Sequence, residues 1–474
     1  MTQQLSKPST AGAGAYARIR GWMLLLGPAM GLAAALLALR SGSEVALAVT
    51  VAVTVCCATW WIFEPVPAPI TALLPLALFP MLGVLDGRQV AESYGHPLIL
   101  LLAGGFMISR ALESSGAHRR LALGMVRLFG GRSGRSLVFG FIAAAGLVSM
   151  WISNTATTLM LLPVALAVLQ HYPDPRLKVP LVLAIAYAAS IGGLGTPIGS
   201  PPNLVFMQVH ELATGVRYGF LDWMAVGVPV VLVMLPVLAW WLTRRLGDTP
   251  PATLPPPPAW EAAERRVLVV FALTAVAWVT RTDPFGGWTT WLGMPGAGDA
   301  SVALLAVVAL AVLPDGREGR LLDWETASSI PWGALVLFGG GIALAAGFEE
   351  SGLSAAVAAQ LGGLGALPLP LLLLALCTGV VLLSEIASNT ATAVLMMPIL
   401  AATAPVIGVE PALLMFPAVL AASIGFMLPV ATAPNAIAYG AADIDSARML
   451  RAGAFLDLAG ILVVVAIGYV AFSG

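Results

Sequence analysis

Long apolar segments recur along the whole chain of 474 residues, and they restrict the possible folds more than any other feature. A helix needs about 20 consecutive apolar residues to cross a bilayer. Charged residues make up only 10% of the sequence, whereas a typical soluble domain has about 25%. So little charge cannot coat a water-exposed surface. The sequence therefore predicts an all-α polytopic membrane protein.

Eleven apolar segments have the character of single membrane-spanning helices. Their predicted ranges are 22–39, 44–62, 67–85, 97–112, 179–196, 222–243, 267–280, 300–313, 331–348, 411–428 and 452–472. Two further apolar regions, 136–170 and 369–404, are each interrupted by Ser-Asn-Thr and are too long for one crossing. Each predicts a re-entrant hairpin whose tip lies within protein or beside a water-filled cavity, because exposed bends in hydrocarbon are costly.

The positions of Lys and Arg predict the orientation in the membrane. With a cytoplasmic N-terminus and non-crossing hairpins, all but five of the 23 basic residues lie in cytoplasmic segments. The exceptions are Arg40, Arg88, Arg217 and Arg281 outside and Arg110 within a span. This asymmetry follows the positive-inside rule. We therefore expect a protein of the cell membrane with a cytoplasmic N-terminus and a periplasmic or extracellular C-terminus.

Four sequence landmarks occur twice, in the same order and at nearly constant spacing. The pairs are LLAGGF (101–106) with LFGGGI (337–342), Ser115-Gly116 with Ser351-Gly352, SNTATTLMLLP (153–163) with SNTATAVLMMP (388–398), and SIGGLGTPIGSPPN (190–203) with SIGFMLPVATAPN (423–435). Five predicted crossings separate the two hairpins, and because five is odd the second repeat must be inverted. Inverted repeats are typical of secondary transporters, whose binding site lies where the repeats meet.

The repeats, together with the proline-rich sequence at 250–258, predict six parts along the chain. They are a cytoplasmic N-terminal segment (1–21), scaffold helices (22–96), a first inverted repeat with hairpin 136–170 (97–221), scaffold helices with a Pro-rich cytoplasmic linker at 247–265 (222–330), a second inverted repeat with hairpin 369–404 (331–445) and a C-terminal transmembrane helix (446–474). The prolines favour an extended spacer in the linker.

Each Ser-Asn-Thr bend offers ligands for both a cation and an anion. The turn at Ser153-Asn154-Thr155 frees backbone carbonyls beside side-chain oxygens, and a compact set of oxygens suits a hard cation such as sodium. The Asn amide, the Thr hydroxyl and the N–H groups at a helix start can meanwhile point at an anion. Ser388-Asn389-Thr390 offers the same groups from the opposite direction.

A second break follows each bend, at 199–203 and at 431–435, and both contain proline followed by asparagine. Proline removes an amide donor and blocks regular helix, which leaves carbonyls free to bind a cation. A single motif of this kind would more often serve as a polar contact between helices. Two bends and two breaks in an inverted arrangement favour a binding site.

The sequence FPAVLAASIGFMLPVATAPNAIAYG (416–440) resembles the signature of the divalent anion:sodium symporter family, as do the paired SNT motifs. The resemblance extends from about residue 45 to the end. It implies eleven spans, two re-entrant hairpins, a homodimeric scaffold domain and an elevator-type transport domain. It also implies transport of C4-dicarboxylates, citrate or sulfate, most often with sodium and in some members by exchange.

The resemblance further implies ligands for two sodium ions and for the substrate. The first sodium site would contain Ser149, Ser153, Asn154 and Gly199, the second Ser384, Ser388, Asn389 and Ala431, and the substrate would contact Asn154, Thr155, Ser200, Asn389, Thr390 and Thr432. Many members have Thr-Pro-Pro-Asn in the second break, where this chain has Ala433 after the threonine. Ala433 restores an amide donor and widens the site, which leaves the substrate preference open.

Charged residues within the spans are hypotheses for function. Glu385 lies three residues before Ser388 and could carry a proton, although a structural role as acceptor for backbone donors is favoured. Arg110 and Glu113 have the spacing of a local ion pair on one helix face. Cys56, Cys57 and Cys377 lie in apolar runs without metal-ligand or disulfide spacing.

These observations together predict a transporter that couples sodium influx to import of succinate, malate or fumarate. No Lys or Arg lies around the bends, so sodium would neutralise the carboxylates. Sodium-independent dicarboxylate exchange and symport of sulfate or another inorganic dianion remain alternatives. A membrane enzyme is disfavoured, because no nucleophile–base pair, phosphate loop or zinc spacing is present. We expect no cofactor apart from sodium as coupling ion. The expected partners are the dianion, the bilayer and a second copy of the chain, without nucleic acid.

Overall fold

The computed structural model describes residues 10–129, 133–170, 174–246, 259–282, 286–361, 363, 367–442 and 444–472. Within these ranges the regular structure is helical, and no strand occurs beyond an isolated bridge between Pro314 and Arg320. The proline-rich stretch 250–258 of the predicted linker lies outside the described residues. The last part of the predicted linker range is helical from Ala262 onward.

The described part of the first half forms twelve α-helices. They are α1 (Thr10–Arg40), α2 (Val45–Phe63), α3 (Ala68–Thr71), α4 (Leu73–Met81), α5 (Gly87–Tyr94), α6 (Pro97–Ser114), α7 (Ala117–Phe129), α8 (Gly134–Ser149), α9 (Asn154–Gln170), α10 (Lys178–Gly192), α11 (Pro201–Thr214) and α12 (Phe220–Thr243).

The described part of the second half adds eleven more. They are α13 (Ala262–Val279), α14 (Gly287–Trp291), α15 (Asp299–Val312), α16 (Trp324–Ser328), α17 (Trp332–Glu350), α18 (Leu353–Leu361), α19 (Leu369–Ile386), α20 (Asn389–Val406), α21 (Pro411–Ala422), α22 (Ala433–Ala442) and α23 (Ser446–Phe472).

Among the described residues, nine helical segments are long and apolar enough to cross a membrane. Shorter apolar helices occur at five further places, including α15 and α21. Large apolar side chains such as Leu25, Leu305 and Val470 are more than two-thirds exposed, as expected for a surface that faces lipid rather than water. The prediction of an all-α, multi-pass membrane protein is confirmed.

Both Ser-Asn-Thr sequences lie at breaks between two helices, as predicted. Helix α8 ends at Ser149 and α9 begins at Asn154, whereas α19 ends at Ile386 and α20 begins at Asn389. Within each pair the two helices contact each other. Each Ser-Asn-Thr sequence therefore interrupts the helix inside an apolar region.

Two predicted spans end earlier in the structure than in the sequence analysis. The span at 179–196 stops being helical after Gly192, and the span at 411–428 stops after Ala422. Non-helical segments follow, and then α11 and α22 begin. The segment ends were overestimated because the residues that follow, such as Ile424 and Phe426, are still apolar and buried.

The centre of the protein is built around α10 and α21. All residues from Leu181 to Gly192 are buried, as are all residues from Ala412 to Ala422. Helix α10 packs against α8 and α9, and α21 packs in the corresponding way against α19 and α20. We call α10 with α11, and α21 with α22, the two broken helices. The first segment of each packs against both helices that flank one Ser-Asn-Thr sequence.

The contact between α8 and α10 is a close approach of two backbones. A Cβ atom at Gly192 would lie 2.1 Å from the carbonyl oxygen of Gly146. Only glycine fits there, as at the small-residue interfaces of other membrane helices. This approach brings the end of α10 beside the end of α8, where the first bend begins.

Candidate functional site

A cavity of about 1340 Å³ contains both Ser-Asn-Thr bends and both proline–asparagine breaks. The predicted site residues that line it are Ser153, Asn154, Thr155, Gly199, Ser200, Ser388, Asn389, Thr390, Ala431 and Thr432. The two remaining predicted residues, Ser149 and Ser384, are fully buried and hydrogen bonded to the asparagines of the bends. The fold therefore brings together candidate residues from the two halves of the chain.

The first bend gathers neutral oxygen atoms in a small volume. Ser149 Oγ donates a hydrogen bond of 2.6 Å to Asn154 Oδ1. A Cβ atom at Gly193 would lie 2.6 Å from Asn154 Oδ1 and 3.0 Å from the carbonyl oxygen of Gly199. Ser153 Oγ accepts from the backbone N–H of the third residue in α9 and caps that helix. Oxygens of Asn154 and Gly199 thus lie next to Gly193, and Ser149 Oγ is bonded to Asn154 Oδ1. This donor set suits a sodium ion.

The second bend repeats the contact between serine and asparagine, but Ser388 makes no capping hydrogen bond to α20. Ser384 Oγ lies 2.8 Å from Asn389 Oδ1, and it also contacts the carbonyl oxygen of Ala422. Thr432 Oγ1 accepts from the backbone N–H of Asn435 at the start of α22. The pair formed by Ser384 and Asn389 lies 235 positions after the pair formed by Ser149 and Asn154, so the two bends share their main hydrogen bond.

An asparagine closes the loop of each broken helix. Asn203 Nδ2 donates to the carbonyl oxygens of Gly193 and Thr196, both at 2.8 Å. Asn435 Nδ2 donates to the corresponding oxygens ten and seven residues earlier, at 2.8 and 3.1 Å. Both asparagines are fully buried. Both asparagines lie in the predicted breaks, but their contacts were not predicted, although the identical spacing in both halves was a usable signal.

Four helices begin at the cavity, and four others end beside it. Helices α9, α11, α20 and α22 start at or next to lining residues. The backbone N–H groups at these starts carry partial positive charge and favour an anion, although Pro201 and Pro202 leave α11 without its first two. Helices α8, α10, α19 and α21 end at the same loops, and their last carbonyls favour a cation. The site can therefore hold both signs of charge without a charged side chain.

Three charged side chains line the cavity at some distance along the chain from the bends: Glu64, Arg110 and Glu113. Arg110 forms an ion pair with Glu113 at 2.5 Å, and its Nε donates to Ser329 Oγ at 2.9 Å. The predicted local ion pair is confirmed. The charge of Arg110 is therefore already balanced by a neighbouring carboxylate.

His118, on α7, also lines the cavity. Burial lowers the pKa of its imidazole, although the hydrogen bond between Nδ1 and the carbonyl oxygen of Leu112 opposes that effect. Burial therefore disfavours the positively charged form of His118. Among the described lining residues, no basic side chain remains without a partner.

Glu385 lies behind the second bend and is 2% exposed. Its carboxylate accepts from the backbone N–H groups of Met427 and Leu428, both at 2.8 Å. The favoured structural role as an acceptor is confirmed. Asp457, on α23, accepts from the backbone N–H of Phe426, the loop residue just before Met427, at 3.0 Å. Asp457 was not among the predicted functional residues, although an acid inside a predicted span was itself a signal.

Solved structures of other transporters share this fold. The YdaH transporter of Alcanivorax borkumensis matches with a TM-score of 0.61 at 17% identity, over 82% of this chain and 90% of that chain. MtrF of Neisseria gonorrhoeae matches with a TM-score of 0.57 at 13% identity, over 82% and 85%. At such low identity the likeness concerns the fold alone.

Sequence comparisons identify the family. The citrate transporter family model matches residues 58–416. The sodium-dependent dicarboxylate transporter SdcS of Staphylococcus saprophyticus is 37% identical over 444 residues, which cover 88% of this chain and 85% of that protein. Its counterpart in Staphylococcus aureus strain USA300 is 35% identical over 445 residues, covering 88% and 84%. The chain therefore belongs to the citrate transporter family and, like the SdcS proteins, to the divalent anion:sodium symporters.

Proposed function

We propose that this protein couples the influx of sodium to the import of a C4-dicarboxylate such as succinate, malate or fumarate. The observation that carries the proposal is the convergence of four helix starts and two Ser-Asn-Thr bends on one cavity. Its described lining includes no basic side chain without a partner. A dianion bound there needs positive charge, and helix starts supply only partial charges. Sodium ions supply the rest.

Each bend, with the break beside it, would hold one sodium ion. The first ion would bind oxygens of Ser149, Ser153, Asn154 and Gly199, and the second would bind those of Ser384, Ser388, Asn389 and Ala431. Support comes from the hydrogen bonds of Ser149 and Ser384 to the asparagines, which bring the oxygens together before an ion enters. Neutral oxygens without carboxylates favour a monovalent ion that binds weakly enough to leave again.

The two carboxylates of the substrate would lie between the bends. One would contact Asn154, Thr155 and Ser200, and the other Asn389, Thr390 and Thr432. The relatives named sodium-dependent dicarboxylate transporters, at 35% to 37% identity, support this substrate class. Ala433 is exposed at the cavity. It has a backbone N–H where many family members have a proline, and this donor would change the order of affinities for different substrates.

We also propose an architecture of eleven spans and two re-entrant hairpins in inverted repeats, with the six domain ranges given above. A transport domain carrying both bends would move against a homodimeric scaffold, as in an elevator. The cavity reaches Glu64, Arg110 and Ser329, which are expected on the cytoplasmic side with the N-terminus inside. In that orientation the described conformation would open inward, on the side where substrate is released.

Uptake of labelled succinate into proteoliposomes tests the coupling. We expect uptake with an inward sodium gradient and none above background when potassium replaces sodium. Equal uptake with either cation would contradict sodium coupling. Uptake that requires internal dicarboxylate but not sodium would instead identify an exchanger, and competition by sulfate but not by malate would identify an inorganic anion carrier.

A further inference from the structure

Four arginines lie where α12 ends and α23 begins, a region that we call the arginine corner. Arg244 and Arg245 directly follow the last residue of α12, and Arg448 and Arg451 lie in the first two turns of α23. All four are exposed. In the proposed orientation the corner lies on the cytoplasmic side, where both helices leave the apolar part of the membrane.

Aromatic contacts join the two helix ends at this corner. Trp241 Nε1 donates to the carbonyl oxygen of Ala452 at 3.1 Å, and the Trp241 ring stacks on Phe455 with 3.7 Å between the centroids. The guanidinium carbon of Arg244 lies 3.1 Å from the centroid of the Trp241 ring, which is a cation–π contact. Ala452 directly follows Arg451 in the sequence. These contacts therefore hold the arginine-bearing ends of both helices together.

Helix α8 brings a fifth arginine to the corner. Arg135, its second residue, is exposed, and its Nε donates to the carbonyl oxygen of Leu246 at 2.6 Å. Leu246 is the second residue after Arg244. Three helices, α8, α12 and α23, thus place guanidinium groups around one position at the expected membrane surface.

The five arginines have no carboxylate partner in the described part of the chain. Seven other arginines there form ion pairs with carboxylates, among them Arg120 with Glu264 at 2.7 Å. At the corner, Arg135 and Arg244 hydrogen bond only to carbonyl oxygens. Like charges gathered without counter-charges repel each other. Binding of an anion would relieve this repulsion.

The surface beside the corner is apolar and exposed. Trp240 is 59% exposed, and its ring centroid lies 6.0 Å from that of Phe455. Leu458 and Leu462 continue from Phe455 along the same helix and are 57% and 51% exposed. Tryptophan is enriched at membrane–water interfaces. A soluble acidic partner would meet the charges but leave this apolar surface uncovered, so the combination favours a lipid.

We propose that the arginine corner binds the phosphate headgroup of an anionic phospholipid, whose acyl chains run along the surface formed by Trp240, Leu458 and Leu462. Guanidinium groups bind phosphate oxygens through paired hydrogen bonds. Basic pockets between membrane helices on the cytoplasmic side suit anionic headgroups. The site goes beyond transport itself and depends on neither the cargo nor sodium coupling.

Native mass spectrometry of the purified, delipidated full-length protein tests the proposal. The probes are dioleoyl phosphatidylglycerol and the zwitterionic dioleoyl phosphatidylcholine, and we expect the first to bind more tightly. The double variants Arg244→Gln/Arg245→Gln and Arg448→Gln/Arg451→Gln should each bind phosphatidylglycerol roughly 30-fold more weakly, because each arginine near an anionic lipid contributes roughly a fivefold factor. Equal affinity of the wild type for both lipids, or unchanged affinity in both variants, would overturn the proposal.

Two controls separate a local site from general effects of charge and folding. Arg265→Gln/Arg266→Gln removes two exposed neighbouring arginines near the start of α13, on the same expected face, and should leave the affinity unchanged. An equal loss in this variant would refute a local site. Arg244→Lys/Arg245→Lys retains the charge and should retain most of the affinity. Binding as weak as in the glutamine variant would show that charge is not the cause.

A soluble anion distinguishes a lipid site from a phosphate site. Glycerol 3-phosphate has the same kind of phosphate group as the lipid but lacks the acyl chains. We expect that it does not displace phosphatidylglycerol at equal concentration, because the chains add apolar contacts along α12 and α23. Equal competition by glycerol 3-phosphate would identify a free-anion site and contradict the lipid assignment.

Discussion

At the scale of single residues, Asn154 and Asn389 have two roles in the proposed site. Each Oδ1 accepts from a buried serine, and each residue also lines the cavity at the start of a helix. We predict that Asn154→Ala and Asn389→Ala each abolish uptake, because the change removes a cation ligand and a substrate donor together. Both variants should elute as folded protein in size-exclusion chromatography.

The control for these variants is Thr378→Ala on α19. Thr378 is exposed, and its hydroxyl bonds only to the carbonyl of its own helix, at Leu374. Uptake by this variant should match the wild type. Transport at the wild-type rate in either asparagine variant would exclude that asparagine from the site.

Gly193 and Gly425 occupy matching positions but differ in the space around them. A Cβ at Gly193 would lie 2.6 Å from Asn154 Oδ1, whereas a Cβ at Gly425 would meet nothing closer than 3.3 Å, at Ala431. Gly193→Ala should therefore displace Asn154 and reduce sodium-dependent uptake strongly. Gly425→Ala should have a much smaller effect. Measuring the sodium concentration for half-maximal uptake in both variants checks this, and equal effects would argue against the geometry of the first bend.

The two bends could be predicted from the sequence, but the contacts that support them could not. The Ser-Asn-Thr residues were recognisable because they repeat and interrupt apolar runs. The hydrogen bonds from Asn203 and Asn435 to carbonyls up to ten residues earlier depend on the path of the loop, which hydropathy does not encode. Asp457 on α23 and Glu385 on α19 accept from successive backbone N–H groups of one loop, and no pattern within either segment predicts these contacts.

At the scale of elements, the broken helices depend on one asparagine each. Asn203→Ala removes the hydrogen bonds from Asn203 Nδ2 to the carbonyl oxygens of Gly193 and Thr196 in a fully buried loop, and Thr196 then keeps only the bond from the backbone N–H of Gly199. A buried polar group that loses its partner typically costs about 1–3 kcal/mol. We therefore expect a clearly lower melting temperature in detergent, and a similar decrease for Asn435→Ala.

Gln208 provides the matched control on the same helix. It is 1% exposed, and its amide nitrogen and oxygen have no hydrogen-bond partner among the described residues. Gln208→Met removes a buried amide without breaking a hydrogen bond, and it should leave the melting temperature unchanged or raise it. If Gln208→Met and Asn203→Ala lowered the melting temperature equally, the contacts of Asn203 would not explain the loss.

The helix boundaries show where hydropathy stops being informative. Predicted spans such as 44–62 and 331–348 agree closely with α2 and α17, because polar or charged residues mark their ends. The span at 179–196 was extended too far, since Leu194 is apolar but not helical. Helix α11 was not predicted, because Gln208, His210 and Glu211 lower its hydropathy although most of its residues are buried.

At the scale of the whole molecule, the orientation in the membrane decides which side the cavity faces. Glu92 on α5 is expected outside and Glu318, between α15 and α16, is expected inside, and both are exposed. In a background without Cys56, Cys57 and Cys377, we predict that a membrane-impermeant maleimide labels Glu92→Cys on intact cells. It should label Glu318→Cys only in inverted vesicles. The reverse pattern would place the cavity mouth on the outer face.

The central claim is that two Ser-Asn-Thr bends form one dianion site that requires sodium. Equilibrium binding of labelled succinate to the purified protein tests it most directly, because binding involves neither membrane orientation nor conformational cycling. With sodium present, we predict saturable binding in the wild type that is lost in Asn154→Ala and in Asn389→Ala, and no saturable binding when potassium replaces sodium. Equal succinate affinity in the two salts would contradict the account.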